Sequence, residues 1–416
     1  YRTHWMYRIL YGIGFLFWLI TLQWMRLGDP SMYIALVALS AYLACYWPLF
    51  ILLVRQSTLK FRVPVFVAAP VFWVGIEYLR AYVFTGFSWY YLGHTQHNWI
   101  EMIQISDVTG AYGVSFIIVM ANAALAQAIP QSWLDRLKLE WSDERTPDAT
   151  SQLTQSFRGV VISTVVVLLV LGYGYFRRNQ NAFEVGPRVG LIQGNFTASL
   201  KPDREDWGEI YQMHHALTGQ TIPYQPDLIF WPEAMFRFPL MEYDKSLDNE
   251  TLNGLHPMIR AEDWKQTRSQ QTLAELAQKS DAALVIGTNI YEARKDDYYL
   301  FNSATFVTPE NGVEDRYDKI HRVPFGEYIP LQEEFPFIQS LTPFRGDFGI
   351  DAGESVPVFD YKDWQIIPLI CFEDTVPHLV RSMVASAEKN GSKPIDLLVN
   401  LTNDGWFHGS SELDQH

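Results

Sequence analysis

The sequence predicts a bundle of membrane-crossing α-helices followed by a globular α/β domain. Three observations carry that expectation. Long apolar runs fill the first ~180 residues, each near the ~20 residues that a helix needs to cross a bilayer. From residue 188 onward, short β-branched runs alternate with stretches of helical spacing, the pattern of helices covering a sheet. Aromatic residues make up 15% of the 416, which suits belts at membrane interfaces. The boundary is placed at residues 180/181, dividing a transmembrane part, 1–180, from a globular part, 181–416.

The apolar runs cover residues 9–25, 31–54, 63–83, 110–129 and 159–176, and five spans are expected. The second and fifth carry no charge. The third contains Glu77 and Arg80, one helical turn apart and able to pair. They read as a structural ion pair, or as a functional site in the way that charges at membrane depth often are. Orientation follows from Lys and Arg in the loops. Arg2 and Arg8, then Arg55, Lys60 and Arg62, then Arg136, Lys138, Arg145 and Arg158 mark the cytoplasmic side, against Arg26 alone in the alternate loops. The globular part is therefore expected outside, periplasmic in a bacterial inner membrane, although Arg177 and Arg178 count against that side. The chain opens at Tyr1 with no signal peptide or initiator methionine and stops at "DQH", and is expected to be a fragment.

Several function classes drop out on composition. A net charge of −14 without a basic stripe argues against nucleic acid. The two cysteines, Cys45 in an apolar run and Cys371 far away, are not expected to form a disulfide. "HTQH" at 94–97 lacks acidic or thiol partners, so neither a metal nor another cofactor is expected.

In the globular part, strands are expected at 188–196, 227–233, 283–291, 364–374 and 397–407, with helices at 204–219 and 265–279. Chemistry-bearing residues fall at the ends of these elements, where α/β sheets gather catalytic side chains. Glu233 ends the second strand in "LIFWPEAMF". Lys319 precedes a Pro/Gly-broken loop presenting Glu327 in "RYDKIHRVPFGEYIP". Cys371 follows the apolar run in "LICFED". Taken singly, each has an ordinary reading: a solvated turn acid, a surface lysine, a core cysteine. Together they supply a base, a cation and a thiol, the set that nucleophilic acyl chemistry requires.

In that order, "WPE", "DKIHRVPFGEY" and "CFED" resemble the nitrilase superfamily, and the membrane helices with "RAYVFTGFSWYYLG" narrow the resemblance to its integral-membrane branch, the apolipoprotein N-acyltransferases. The resemblance covers nearly the whole chain and implies an αββα sandwich. It implies Glu233 as general base, Lys319 as stabilising cation and Cys371 as nucleophile, with Glu327, Glu373 and Trp406 as supporting residues. Phe372 departs from the family pattern, in which many members have Tyr, so any hydrogen bond from that phenol is lost. Eight transmembrane helices are usual in the family, against five runs here.

The activity so implied is a two-step acyl transfer. Cys371 takes an acyl chain from a membrane phospholipid as a thioester. The α-amine of a diacylglyceryl-cysteine on an apolipoprotein then attacks it. The partners are those two substrates and the bilayer, and a monomer is expected. Residues 235–243 and 335–344, rich in large apolar side chains, read either as mobile arms admitting acyl chains or as segments packed on the domain. Competing readings are a membrane-anchored amidohydrolase with the same triad acting on a small amide, a transporter or receptor with a ligand-binding domain, and a Cys–His enzyme using His321, His378 or His408.

Overall fold

The computed structural model describes residues 2–28, 32–129, 133, 149–182, 185–196, 204–332, 334–341, 349–390, 394–407 and 409–413. Its contacts divide it into one unit that holds the long apolar helices and another that holds the eight strands found among the described residues.

In the first unit every apolar run becomes helix: α1 (Arg2–Thr21), α2 (Met32–Ala44) with α3 (Tyr46–Phe61), α4 (Val65–Arg80), the short α5 (Ile100–Ile103), α6 (Ser106–Gln127) and α7 (Ala149–Asn179). Among the described residues three stretches are long and apolar enough to cross a membrane by length and composition, Met32–Phe61, Ser106–Gln127 and Ser156–Asn179, and the run at 9–25 gives the shorter apolar helix Trp5–Thr21. The run at 63–83 falls short for a local reason. Its helix has 16 residues and ends at Arg80, and the chain then turns through Phe84 and Thr85, both at positive φ. At ~1.5 Å per residue it spans about 24 Å.

Glu77 and Arg80 do not form the ion pair that their spacing suggests. Glu77 Oε1 accepts from Trp73 Nε1 at 2.9 Å and from the Leu92 N–H at 2.8 Å. The Arg80 guanidinium donates to the Trp89 carbonyl at 2.8 Å and lies against the rings of Trp18 and Tyr91. Both charges therefore tie the 86–92 loop to the helices. Arg177 and Arg178, the arginines that oppose the loop bias, are each paired with an acid: Arg177 with Asp107 at 2.8 Å and Arg178 with Glu101.

The second unit is a four-layer sandwich. One sheet has the order β1 (Val189–Leu191), β2 (Leu228–Tyr243), β3 (Ala283–Ala293), β4 (Tyr298–Thr308), β5 (Gly312–Asp318), the first three parallel and the last two antiparallel. The other has β6 (Phe359–Tyr361), β7 (Trp364–Ile370) and β8 (Leu397–Leu401). Strand alternation builds the layers. Leu228, Phe230, Val285, Ala304 and Phe306 face the second sheet and share one core with its Phe359 and Ile366, while Leu369 lies on the other face of β7 and Met383 of α10 (Pro377–Asn390) joins the same cluster. Ile229, Trp231, Leu284 and Ile286 face the other way, onto Leu217 of α8 (Arg204–Thr221) and Leu273, Leu276 and Ala277 of α9 (Arg268–Ser280).

Residues 235–243 are part of β2, not an arm. Phe236, Leu240 and Met241 pair with β3, and Met235, Phe236 and Leu240 are buried in the core, while Phe238 is exposed. Of the second stretch, 335–341 includes the turn Pro336–Leu341 with Phe335 and Phe337 exposed, while 342–344 lie outside the described residues.

Candidate active site

Glu233 is aimed by a break in β2. The strand pairs in register with β3 up to Trp231↔Ile286 and resumes at Phe236↔Thr288, so a bulge intervenes, with Ala234 at φ 51°. The bulge presses against Gly287. A Cβ there would lie 2.2 Å from the Pro232 carbonyl oxygen and 2.7 Å from Glu233 Cα, so a residue without a side chain is what allows the approach. Lys319 follows β5, its N–H donating to the Asn302 carbonyl of β4 at 2.9 Å. Its side chain is wholly buried.

Around the ammonium of Lys319 stand two carboxylates, Glu327 Oε1 at 2.7 Å and Glu233 Oε1 at 3.4 Å. Glu327 is held in turn by the Val323 N–H on Oε2, at 2.7 Å. Asn302, buried on β4, gives its amide to Glu233 Oε1 at 2.7 Å and to Glu327 Oε1 at 3.4 Å. Burial works against the charge on Lys319, but Glu233, Cys371 and Glu327 outweigh it and hold its pKa above the usual lysine range. The lysine stays a cation throughout ordinary pH.

Cys371 stands where β7 ends. Ile370 is still extended, and Cys371 opens the turn Cys371–Thr375 at φ 54°, in the left-handed region. A non-glycine residue held there costs about 1–3 kcal/mol, and such strain gathers at functional sites. Glu373 is the clamp. Its buried carboxylate accepts from the Ile370 N–H at 2.9 Å on Oε2, and on Oε1 from Tyr317 Oη and the N–H of Ile320 at 2.8 Å and of His321 at 2.9 Å. One side chain thus joins the cysteine turn to the segment that carries Lys319. Burial pushes the Glu373 carboxyl up, against the pull of those backbone donors. Asn400 of β8 donates to the Cys371 carbonyl at 3.2 Å.

A cavity of about 650 Å³ lies beyond the ends of β1 and β8 and beside the bulge of β2, walled by Gln193, Asn195, Phe196, Trp231, Pro232, Asn400, Asn403 and Asp404 among others. The Asn403 N–H donates to Glu233 Oε2 at 3.4 Å, so the cavity wall touches the glutamate.

Family models place the two units. Residues 2–124 match the apolipoprotein N-acyltransferase N-terminal domain, and residues 188–416 match the carbon-nitrogen hydrolase family. A protein named apolipoprotein N-acyltransferase from Geobacter metallireducens is 31% identical over 407 residues, covering 97% of this chain and 69% of that protein. Another of the same name from Rhodopirellula baltica is 30% identical over 448 residues, covering 98% and 75%. The chain belongs to the apolipoprotein N-acyltransferase family. Among solved structures, an amidase from Nesterenkonia sp. AN1 is 17% identical, covering 52% of this chain and 67% of that one, with a TM-score of 0.33.

Within this family member, the residues singled out from sequence fall as follows. Glu233, Lys319 and Glu327 share one hydrogen-bonded cluster, and Cys371 lies close enough to act on the lysine's charge. Glu373 lies beneath the cysteine turn, and Phe372 stacks on His321 with ring centroids 5.8 Å apart. The backbone of Trp406 lies in the turn Gly405–Phe407, while its side chain, like His408, is outside the described residues. His321 does not suit a base at neutral pH for a different reason: burial, with His378 and Lys319 nearby, lowers its pKa to about 4. Sequence reasoning missed Asn302 and Gly287. Each lies inside a strand, where neither residue type signals chemistry, and only the pairing of β2, β3 and β4 brings them to the site.

Proposed function

We propose that this chain transfers an acyl chain from a membrane phospholipid to the N-terminal α-amine of diacylglyceryl-cysteine on apolipoproteins, through a thioester on Cys371. The observation that carries the reading is a buried Lys319 shared by Glu233 and Glu327 and coupled to Cys371, in a chain of this family. Glu233 takes the thiol proton and the sulfur attacks the ester carbonyl. Lys319, a permanent cation in a dry site, stabilises the negative charge that develops on the carbonyl oxygen. The lysophospholipid leaves with the proton. In the second step Glu233 takes a proton from the acceptor amine, which displaces the sulfur to give an amide.

The cavity beside Glu233, walled by apolar as well as polar side chains, gives the acceptor room to approach. Among its described lining residues Asp404 is the one ionisable group, a charge that favours an ammonium over a phosphate. The three long apolar helices would hold the enzyme in the bacterial inner membrane, its globular unit periplasmic, consistent with the loop charge bias once Arg177 and Arg178 are seen to be paired. We take the active form as a monomer.

The test is a transfer assay with the full chain in detergent, a phospholipid carrying a tagged acyl chain and a diacylglyceryl lipopeptide. Tagged lipopeptide should form with the wild type and not with Cys371→Ala. Equal product from both would refute the reading. Release of the tag as free fatty acid with a blocked amine acceptor, and no transfer to a free one, would favour the hydrolase.

A further inference from the structure

Glu233 has two oxygens, and the site treats them differently. Oε1 accepts from Asn302 Nδ2 at 2.7 Å and from Lys319 Nζ at 3.4 Å. Oε2 accepts from the Asn403 N–H at 3.4 Å, a long and weak contact. A carboxylate oxygen offers about two lone-pair directions, so Oε1 is fully engaged while Oε2 keeps one to spare. Asn302 has no other way to sit. Its Nδ2 faces Glu233 Oε1 and Glu327 Oε1, and a flipped amide would set Oδ1 against both carboxylates. In the observed orientation Oδ1 is buried without a partner, an unfavourable arrangement that a residue chosen only to fill space would avoid.

We propose that Asn302 is a positioning residue for the acyl transfer: it occupies Oε1 of Glu233 and so makes Oε2 the atom that takes the Cys371 proton. The inference rests on the reading of Glu233 as the base. In the first step the Sγ–H bond breaks, an Oε2–H bond forms, and the sulfur electron pair bonds to the ester carbonyl carbon. The same proton then leaves Oε2 for the departing alkoxide oxygen of the lysophospholipid. Without the Asn302 amide, Oε1 of Glu233 keeps only the long contact to Lys319, and the two oxygens are no longer distinguished as proton acceptors. The charged groups facing Glu233 are Lys319 and Glu327 at the site and Arg237 farther along its own strand, with the Cys371 thiol across from them.

The experiment measures single-turnover thioester formation from a tagged phospholipid, with the full chain in detergent, across about pH 5 to 9. It compares wild type, Asn302→Ala, Asn302→Asp and Glu233→Gln. A hydrogen bond to a charged group contributes enough to move a pKa by about one to two units. Loss of the donor disfavours the carboxylate, so the acidic limb of the rate profile should move up by about one to two pH units in Asn302→Ala. The half-saturating lipid concentration should stay within about twofold. Asn302→Asp keeps the shape of the side chain and should shift the limb at least as far, which separates the lost donor from a cavity. A variant that is merely less folded lowers the amplitude and leaves the limb in place, and that result in both variants overturns the inference. Thioester formation at the wild-type rate in Glu233→Gln would bring down the reading of Glu233 and this inference with it. An inert Glu233→Gln beside wild-type limbs at position 302 would bring down the role of Asn302 alone.

Discussion

Gly287→Ala is the substitution whose effect the geometry fixes most closely. The added Cβ would meet the Pro232 carbonyl oxygen at 2.2 Å, Ala234 N at 2.5 Å and Glu233 Cα at 2.7 Å. All three are main-chain atoms, so none can rotate aside. Ordinary contact begins near 3.4 Å, and the bulge must retreat by about 1 Å. Overpacking of this kind costs about 1–3 kcal/mol of stability. The larger effect falls on the rate, since the retreating atoms carry Glu233, and a displacement of about 1 Å can cost a hundredfold. The assay is kcat for acyl transfer beside the thermal midpoint, with Gly219→Ala as control. Gly219 lies on α8 with nothing within 4 Å of its Cβ position, and alanine there should gain about 0.5–1 kcal/mol with no change in rate. If Gly287→Ala kept kcat within about twofold of the wild type, the argument that the bulge aims the glutamate would be refuted.

Other perturbations have equally definite signs. Lys319→Met leaves Glu233 and Glu327 buried without their cation; it should destabilise the globular unit by about 3–5 kcal/mol and abolish thioester formation, and a stable, active variant in urea unfolding and acyl trapping would contradict the assignment. His321 has its pKa lowered to about 4 in the folded chain, so between pH 6.5 and 4 the unfolded chain binds more protons there than the folded one. Its contribution to stability is complete above that window and is lost as pH falls through it. The urea midpoint of the wild type should therefore drop more steeply from about pH 6.5 to pH 4 than that of His321→Gln, and parallel curves would show that His321 is not held neutral.

How much of this was legible beforehand differs between the two units. Apolar length was enough to place helices on all five runs, because length and hydropathy are what the bilayer selects. It could not see that 63–83 breaks at Arg80 and turns through Phe84 and Thr85. In the globular unit, the apolar strands β2, β3, β7 and β8 announced themselves. β4 did not, because both its faces are buried and Asn302, Ser303 and Thr305, divided between them, interrupt the apolar run. Glu233, Lys319 and Cys371 were singled out because each follows a strand or a broken loop. Those that aim them, Asn302 and Gly287, depend on register between strands, which no local pattern states. For residues 235–243 the sequence left two readings, arm or packed segment; the bulge lets the strand resume, and Met235, Phe236 and Leu240 are packed.

The central claim is that Cys371 carries the acyl chain, and trapping it there is the most direct test. The full chain would be incubated in detergent with a phospholipid bearing a tagged acyl group and no amine acceptor, then digested and mapped. The account predicts tag on the peptide containing Cys371, removed by neutral hydroxylamine, absent in Cys371→Ala, and discharged to amide when a diacylglyceryl lipopeptide is added. A folded wild-type protein that acylates the lipopeptide while Cys371 stays unlabelled would contradict it.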